Sequence, residues 1–344
     1  MPIRVAINGA GRIGRAFFNM ASKNDEIEVV AINDLVDIDN VAYLINYDSA
    51  YGKRANPVSV KEDKGALLEG DREIAFFQEK EPESLPWGDM DIDVVVEATG
   101  VFTTFEGAGR HVSAGAKRAV ISAPAKDDPA NEGHKTVLLG VNEGDLGASV
   151  VSSNASCTTN AVSPMVRILH DSIGIDKALL NTVHAYTISQ SIVDSFNKKN
   201  PRLGRAGAQN IVPTSTGAAT ATTKVITELD GNFDGIALRV PVVAGSVADI
   251  TFIASRDTTV EEVNDVLRNS AKEERWNGIF TTTDEPVVSA DIIGEEWGSI
   301  ADLSFTRVVG GNLVKVLAWY DNEMGYTAML MRHVLITGRH ARGM

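Results

Sequence analysis

Cysteine is almost absent from this chain. Cys157 is the only one among 344 residues, which excludes an intramolecular disulfide and any metal site built from several cysteines. Long apolar runs are missing as well. Nothing approaches the about 18 consecutive apolar residues that read as a membrane span, so no transmembrane helix is expected. The opening Met1-Pro2-Ile3-Arg4-Val5-Ala6-Ile7-Asn8 runs straight into a glycine loop, without the apolar core and cleavage site of a secretory signal. The expected location is the cytoplasm. Positive charge is scarce: 32 Lys and Arg against 46 Asp and Glu leave a formal net charge of -14. Such a surface repels a phosphate backbone, so no nucleic-acid partner is expected. An anionic small substrate would need a local cluster of arginines or backbone N–H groups. The six histidines, His111, His134, His170, His184, His333 and His340, include no two at metal-ligand spacing, and no metal site is expected. Internal repeats, low-complexity linkers and long charge runs are also missing.

What is present suggests two domains, because a chain of 344 residues exceeds one comfortable core. Residues 3–8 form a short apolar strand, a glycine loop follows, residues 15–21 have helical character, and residues 28–32 form a second apolar strand. Further apolar strands are expected at 92–97 and 119–122, with a helix at about 106–114. Continuous apolar strands separated by helices suit a parallel sheet covered on both faces. The second half is patterned differently. Its strands, at 179–185, 235–243, 248–255 and 313–320, are longer and more alternating, as in an antiparallel sheet with helices on one face. The expected fold is therefore α/β. A Rossmann-type doubly wound parallel sheet spans residues 1–155, and an α+β domain with a mostly antiparallel sheet spans 156–324. A helix from about 325 to 344 is expected to pack back onto the first domain.

Gly9-x-Gly11-x-x-Gly14 follows a strand, opens a helix, and has an acid, Asp34, 20 residues after Gly14 at the end of the second strand. Those are the context requirements of a dinucleotide fingerprint. The first glycine permits a tight turn, the second lets backbone approach a pyrophosphate, and the third lets helix and strand pack closely. The helix N-terminus then offers free N–H groups to the anion. Asp34 is placed to accept hydrogen bonds from the adenosine ribose, and its charge would repel a 2′-phosphate, which favours NAD over NADP.

Cys157 lies in Ser153-Asn154-Ala155-Ser156-Cys157-Thr158-Thr159-Asn160. Ala161, Met165, Val166, Ile168 and Leu169 follow with the spacing of a helix face. The cysteine is thus expected at a helix N-terminus, where dipole and N–H groups favour a thiolate and could also hold an oxyanion. A thiolate nucleophile usually has a paired base. His184 ends a strand 27 residues later, enough for one helix and one returning strand. Spacing alone leaves it either as that base or as an ordinary packed histidine.

Taken together these motifs resemble the phosphorylating glyceraldehyde-3-phosphate dehydrogenase family, from about Ile3 to His333. Asn8-Gly9-Ala10-Gly11-Arg12-Ile13-Gly14-Arg15, the Cys157 segment, Pro213-Thr214-Ser215-Thr216-Gly217-Ala218-Ala219, Arg239-Val240-Pro241 and Trp319-Tyr320-Asp321-Asn322-Glu323 carry the likeness, in the right order. The resemblance implies that Cys157 attacks an aldehyde carbon and His184 takes the hydroxyl proton as hydride leaves for NAD. Inorganic phosphate then cleaves the thioester to an acyl phosphate. It further implies that Arg239 and Thr187 hold the phosphate of glyceraldehyde 3-phosphate. Ser156, Thr158, Thr216 and Gly217 would bind substrate or the attacking phosphate. Asn322 would orient the nicotinamide carboxamide, with Arg12, Ile13, Thr99 and Ser122 at other cofactor positions. Residues 187–210 would form an S-shaped loop shared between subunits of a homotetramer.

The chain departs from the family pattern at several positions. Leu203, in Arg202-Leu203-Gly204-Arg205, stands where an arginine for inorganic phosphate is expected; Arg202 and Arg205 are the nearest residues that could compensate. Ile188-Ser189 replaces a frequent Asn-Asp, Phe196 a proline near the ribose, Met324 a tryptophan and Ala161 a second cysteine. Leu203 leaves room for a relative that acts on erythrose 4-phosphate with water as acyl acceptor. Another class of reading is a non-catalytic NAD-binding protein, against which intact Cys157, His184 and Arg239 argue. A semialdehyde dehydrogenase shares the Cys–His logic but fits the motifs poorly.

Overall fold

A computed structural model describes residues 1–198 and 200–344. The chain divides into two compact units, one of residues 1–137, 142–155 and 327–344, the other of residues 138–141 and 156–326.

The first unit is built on a nine-stranded sheet. Its order is His134–Thr136, Val151–Ser153, Arg118–Ile121, Val94–Glu97, Ile3–Asn8, Ile27–Asn33, Arg72–Phe77, Ala66–Glu69, Ser59–Val60. The first seven run parallel and the last two pairings are antiparallel. Val5, Ala6 and Ile7, like Val94, Val95 and Val96, are wholly buried, as in a sheet covered on both faces. Ile3–Asn8 has Ile27–Asn33 on one side and Val94–Glu97 on the other, so the order reverses there and a crevice opens beyond the carboxyl ends of these strands. The antiparallel meander at the edge is absent from the sequence reading, because its strands are two to six residues long and too short to show a period.

Residues 327–344 complete this unit. His333, fully buried, meets Ser152 Oγ at 2.7 Å through Nε2 and Asn154 Oδ1 at 3.1 Å through Nδ1. Gly338 lies so close to Ile3 that a Cβ would overlap its side chain. Arg342 donates to the carbonyls of Met1 and Pro2, each at 2.6 Å, and to Asp93 at 2.6 Å. The Arg342 and Lys117 side chains hold the Asp93 carboxyl below its ordinary range against the upward push of burial.

The second unit carries a seven-stranded sheet in the order Val212–Ser215, Phe233–Val240, Ile175–Ala185, Ser246–Ala254, Leu313–Tyr320, Ser299–Val309, Phe280–Thr283. Two pairings are parallel, Ile175–Ala185 with Phe233–Val240 and Phe280–Thr283 with Ser299–Val309, and the rest are antiparallel. Alternation along Ile175–Ala185 buries Ala178, Leu180, Thr182 and His184 on one face. The helix Cys157–Ser172 packs on the sheet, together with Ala218–Thr223 and Val260–Ser270. Leu179, Ile236 and Phe305 are exposed on their strands, and the loop after Ala185 exposes Ile188, Ile192, Val193 and Phe196. No helix among the described residues is long and apolar enough to cross a membrane.

Candidate active site

In the first unit the crevice at the strand ends encloses about 450 Å³. Gly9, Gly11, Asp34 and Thr99 line it, with Asn8 and Asn33 beside them. The glycines divide the work as their positions require. Gly9 has φ +102° and lies against the Ala98–Thr99 backbone, where a Cβ would collide. A Cβ on Gly14 would overlap the carbonyl of Gly9, so helix and loop pack in direct contact. Gly11, the N-cap of the helix Arg12–Ala21, has nothing within 4 Å of where its Cβ would be. The opening above Gly11 is the space a pyrophosphate needs to reach backbone N–H groups. Asp34 accepts the N–H of Ala10 at 2.7 Å and of Val36 at 3.0 Å, which ties it to the glycine loop and leaves lone pairs on both oxygens for a ribose.

Arg12, Ile13, Gly14 and Ser122 are not among the residues described as lining this crevice. Arg12 is paired with Asp48 at 2.6 Å instead. Ser122 is held by its N–H to the carbonyl of Glu97 at 2.9 Å. Lys80, Phe102 and Arg110 also line the crevice. The sequence reading missed them because they come from loops and a helix distant from the fingerprint.

In the second unit Cys157 is the first residue of its helix. Ser156 caps that helix, its Oγ accepting from Thr159 N–H at 3.1 Å. The turn that delivers it contains Ala155 at φ +53°, in the left-handed region, an orientation that surrounding contacts must enforce. The sulfur of Cys157 lies 3.4 Å from Nε2 of His184. His184 is opposite Arg239 in the parallel strand pair. Its Nδ1 lies 2.7 Å from the carbonyl of Ala185, and Nε2 is the ring nitrogen that faces the sulfur. Arg239 Nη1 lies against Nδ1 and donates to the same carbonyl at 3.1 Å. Burial, reinforced by the Arg239 charge, lowers the pKa of His184 to about 3, which keeps the imidazole neutral.

Burial is also the largest influence on Cys157 and pushes its thiol up; the Arg239 charge and hydrogen bonds from Thr158 act against it. The expectation from sequence weighed the helix terminus and not this opposing push of burial.

Thr158 Oγ1 bonds the hydroxyl of Tyr320 at 2.8 Å, and the same hydroxyl reaches Thr182 at 2.7 Å. Ser246 links two other residues: its Oγ accepts Ala185 N–H at 3.1 Å and donates to Asn322 Oδ1 at 3.0 Å. Asn322 is thereby tied to the strand end that carries His184. Neither Tyr320 nor Ser246 had a role in the sequence reading. Thr187 pairs with Ser189 at 2.8 Å, and Thr216 Oγ1 accepts Ala218 N–H at 3.2 Å beside Gly217, the N-cap of the next helix. Leu203 is half-buried, and Arg205 is already paired with Asp194 at 2.8 Å.

Residues 3–105 match the family described as glyceraldehyde 3-phosphate dehydrogenase, NAD binding domain, and residues 156–322 match its C-terminal domain. The glyceraldehyde-3-phosphate dehydrogenase of Clostridium acetobutylicum is 46% identical over 334 residues, 96% of each chain. Glyceraldehyde-3-phosphate dehydrogenase 1 of Streptomyces avermitilis is 44% identical over 341 residues, 98% of this chain and 99% of that one. The Geobacillus stearothermophilus enzyme of the same name is 45% identical over 329 residues, 95% of this chain and 96% of its own.

Proposed function

This chain belongs to the glyceraldehyde-3-phosphate dehydrogenase family, and we propose that it oxidises glyceraldehyde 3-phosphate with NAD and inorganic phosphate to 1,3-bisphosphoglycerate, through a thioester on Cys157. Its place would be the cytoplasm, in glycolysis and gluconeogenesis. The observation that carries this reading is the approach of Cys157 Sγ to a neutral His184 Nε2 at 3.4 Å, with Arg239 beside them.

NAD supplies the hydride acceptor. The crevice fits it, since Gly11 opens toward solvent, Gly9 and Gly14 allow close packing, and Asp34 faces the ribose position. Cys157 adds across the aldehyde: the S–C bond forms, and His184 Nε2 takes the thiol proton and returns it to the carbonyl oxygen. The product is a hemithioacetal. As hydride leaves its carbon, His184 takes the hydroxyl proton, giving thioester and imidazolium. Phosphate then attacks the thioester carbon and expels the thiolate, which the imidazolium reprotonates. Arg239 and Thr187 would hold the substrate phosphate. Ser156, Thr158, Thr216 and Gly217 would hold substrate or the attacking anion, and Asn322 the carboxamide of NAD. Charge-assisted bonds of this kind contribute about 1.5–3 kcal/mol each.

The exposed Ile188, Ile192, Val193 and Phe196 suit the expected S-shaped loop and support a homotetramer, which light scattering would test. Leu203, with Arg205 engaged by Asp194, supports a second reading in which water rather than phosphate takes the acyl group. One assay separates them: NADH formation from glyceraldehyde 3-phosphate, NAD and phosphate, each omitted in turn. Turnover that stops without phosphate and without arsenate supports the phosphorylating reaction. Equal turnover without either supports hydrolysis, and no turnover with all three sinks both.

A further inference from the structure

Next to the dinucleotide crevice lies a carboxylate that the proposed chemistry does not use. Glu97 ends its strand, and its side chain has no solvent exposure. Four donors converge on it. Asn8 Nδ2 at 2.6 Å and His111 Nε2 at 3.0 Å reach one oxygen; the N–H of Thr99, at 2.9 Å, and the Thr99 hydroxyl reach the other. The direction of each bond follows from the groups beyond it. Trp87 Nε1 can only donate, and does so to His111 Nδ1 at 3.1 Å, so the ring proton is on Nε2, toward Glu97. Asn8 Oδ1 accepts from Asn33 Nδ2 at 2.7 Å, which turns the Asn8 amide nitrogen toward Glu97. Asn33 in turn grips the backbone of Glu79, accepting its N–H at 2.8 Å and donating to its carbonyl at 2.9 Å.

Asn8, Asn33, Glu79 and Thr99 line the crevice; Glu97, His111 and Trp87 are not described as lining it. The Thr99 backbone, held by Glu97, is the surface against which Gly9 packs with no room for a side chain. We infer that Glu97 is a positioning residue for the dinucleotide: as the shared acceptor of Asn8, His111 and Thr99, it holds the ends of two sheet strands at the spacing the glycine loop needs to receive a pyrophosphate. The inference rests on reading this crevice as the NAD site.

All four neighbours donate, so an acceptor at both oxygens is the requirement. In Glu97→Gln an NH2 group replaces one oxygen and faces donors. Thr99 N–H cannot reverse. Reversing Asn8 sets its NH2 against that of Asn33, and reversing His111 sets its ring N–H against Trp87. The mismatch therefore spreads to the crevice wall whichever way the amide turns.

The test is NAD titration by calorimetry with purified protein, alongside the alkylation rate of Cys157 by iodoacetamide measured without NAD. Glu97→Gln should raise the NAD dissociation constant by roughly tenfold or more and leave alkylation unchanged. Adding Asn8→Asp should bring affinity back toward wild type, because a carboxylate at position 8 would accept from the new amide at position 97 while still accepting from Asn33. Wild-type affinity in Glu97→Gln overturns the inference, as does a loss of affinity that Asn8→Asp does not relieve and that comes with altered alkylation. Should Glu97→Gln not fold, two changes at His111 decide. His111→Leu should weaken NAD several-fold, while His111→Gln, which keeps a donor and an acceptor, should not; equal affinities overturn the proposal. Gly9→Val separates the inference from its basis. If that variant binds NAD normally, the crevice reading falls. If it loses NAD while Glu97→Gln keeps it, only the role of Glu97 falls.

Discussion

Arg239 and His184 meet at one backbone carbonyl. The carbonyl of Ala185 lies 2.7 Å from Nδ1 of the histidine and takes Nη1–H of the arginine at 3.1 Å. This sets a permanent cation beside the imidazole and the sulfur. Removing the charge in Arg239→Gln takes away the largest influence opposing burial at Cys157. Its alkylation profile should move to higher pH, with a several-fold slower rate at neutral pH, and Cys157→Ser should abolish the labelling. With its pKa at about 3, His184 stays neutral through the working range, so the profile should show no inflection near the ordinary histidine value of about 6.5. Unchanged alkylation in Arg239→Gln would contradict the electrostatic role.

Asp34 couples cofactor choice to the shape of the glycine loop. Asp34→Ala removes the charge that repels a 2′-phosphate and also leaves the N–H of Ala10 unpaired. NAD binding should weaken, and the ratio of kcat/KM for NADP over NAD should rise about tenfold or more, which corresponds to about 1.4 kcal/mol. A wild-type preference for NADP would overturn this reading of Asp34, and Phe196 would become the first residue to exchange.

Leu203 should make phosphate bind weakly. An arginine in its place would contribute about 1.5–3 kcal/mol, or roughly tenfold to hundredfold in apparent affinity. Arg205 is held by Asp194, which leaves Arg202, exposed and next in sequence, as the better compensating residue. Leu203→Arg should lower the KM for phosphate and leave that for the aldehyde nearly unchanged. The backbone bonds of residue 203, to Asn200 at 3.0 Å and from Ser191 at 3.1 Å, survive the change. A phosphate titration of both proteins at fixed aldehyde and NAD decides.

His333 should make the protein acid-sensitive. Burial lowers its pKa to about 3, against about 6.5 in an unfolded chain. The unfolded state therefore binds the extra proton first. The stability this histidine contributes is complete above about pH 6.5 and is lost as pH falls toward 3, the loss reaching about 2 kcal/mol by pH 5. His333→Gln, which can still bond both Ser152 and Asn154, should flatten the decline of the unfolding midpoint between pH 7 and pH 5. An identical slope in both proteins would remove His333 from the account.

The glycine loop and Asp34 were legible because their chemistry needs fixed spacing within one strand–turn–helix unit. Cys157 at a helix start was legible from the apolar spacing after Ala161. The parallel and mostly antiparallel sheets followed from continuous against alternating strands. His184 beside Arg239 was not legible: 55 residues separate them, and only the register of two strands brings them opposite. The same holds for Ser246, whose hydroxyl joins Ala185 to Asn322 from a third strand. The pull of burial on Cys157 depends on everything packed around the sulfur, which no local pattern records.

The grip of Arg342 on Met1 and Pro2, and the fit of Gly338 against Ile3, set an order on synthesis. The first unit opens the chain yet lacks a wall until residues 327–344 leave the ribosome. The second unit, made of residues 138–141 and 156–326, has all its parts earlier. The half of the molecule begun first is thus the half finished last. A released chain truncated just short of Thr327 should give a protease-resistant second unit beside a first unit that is still readily cut.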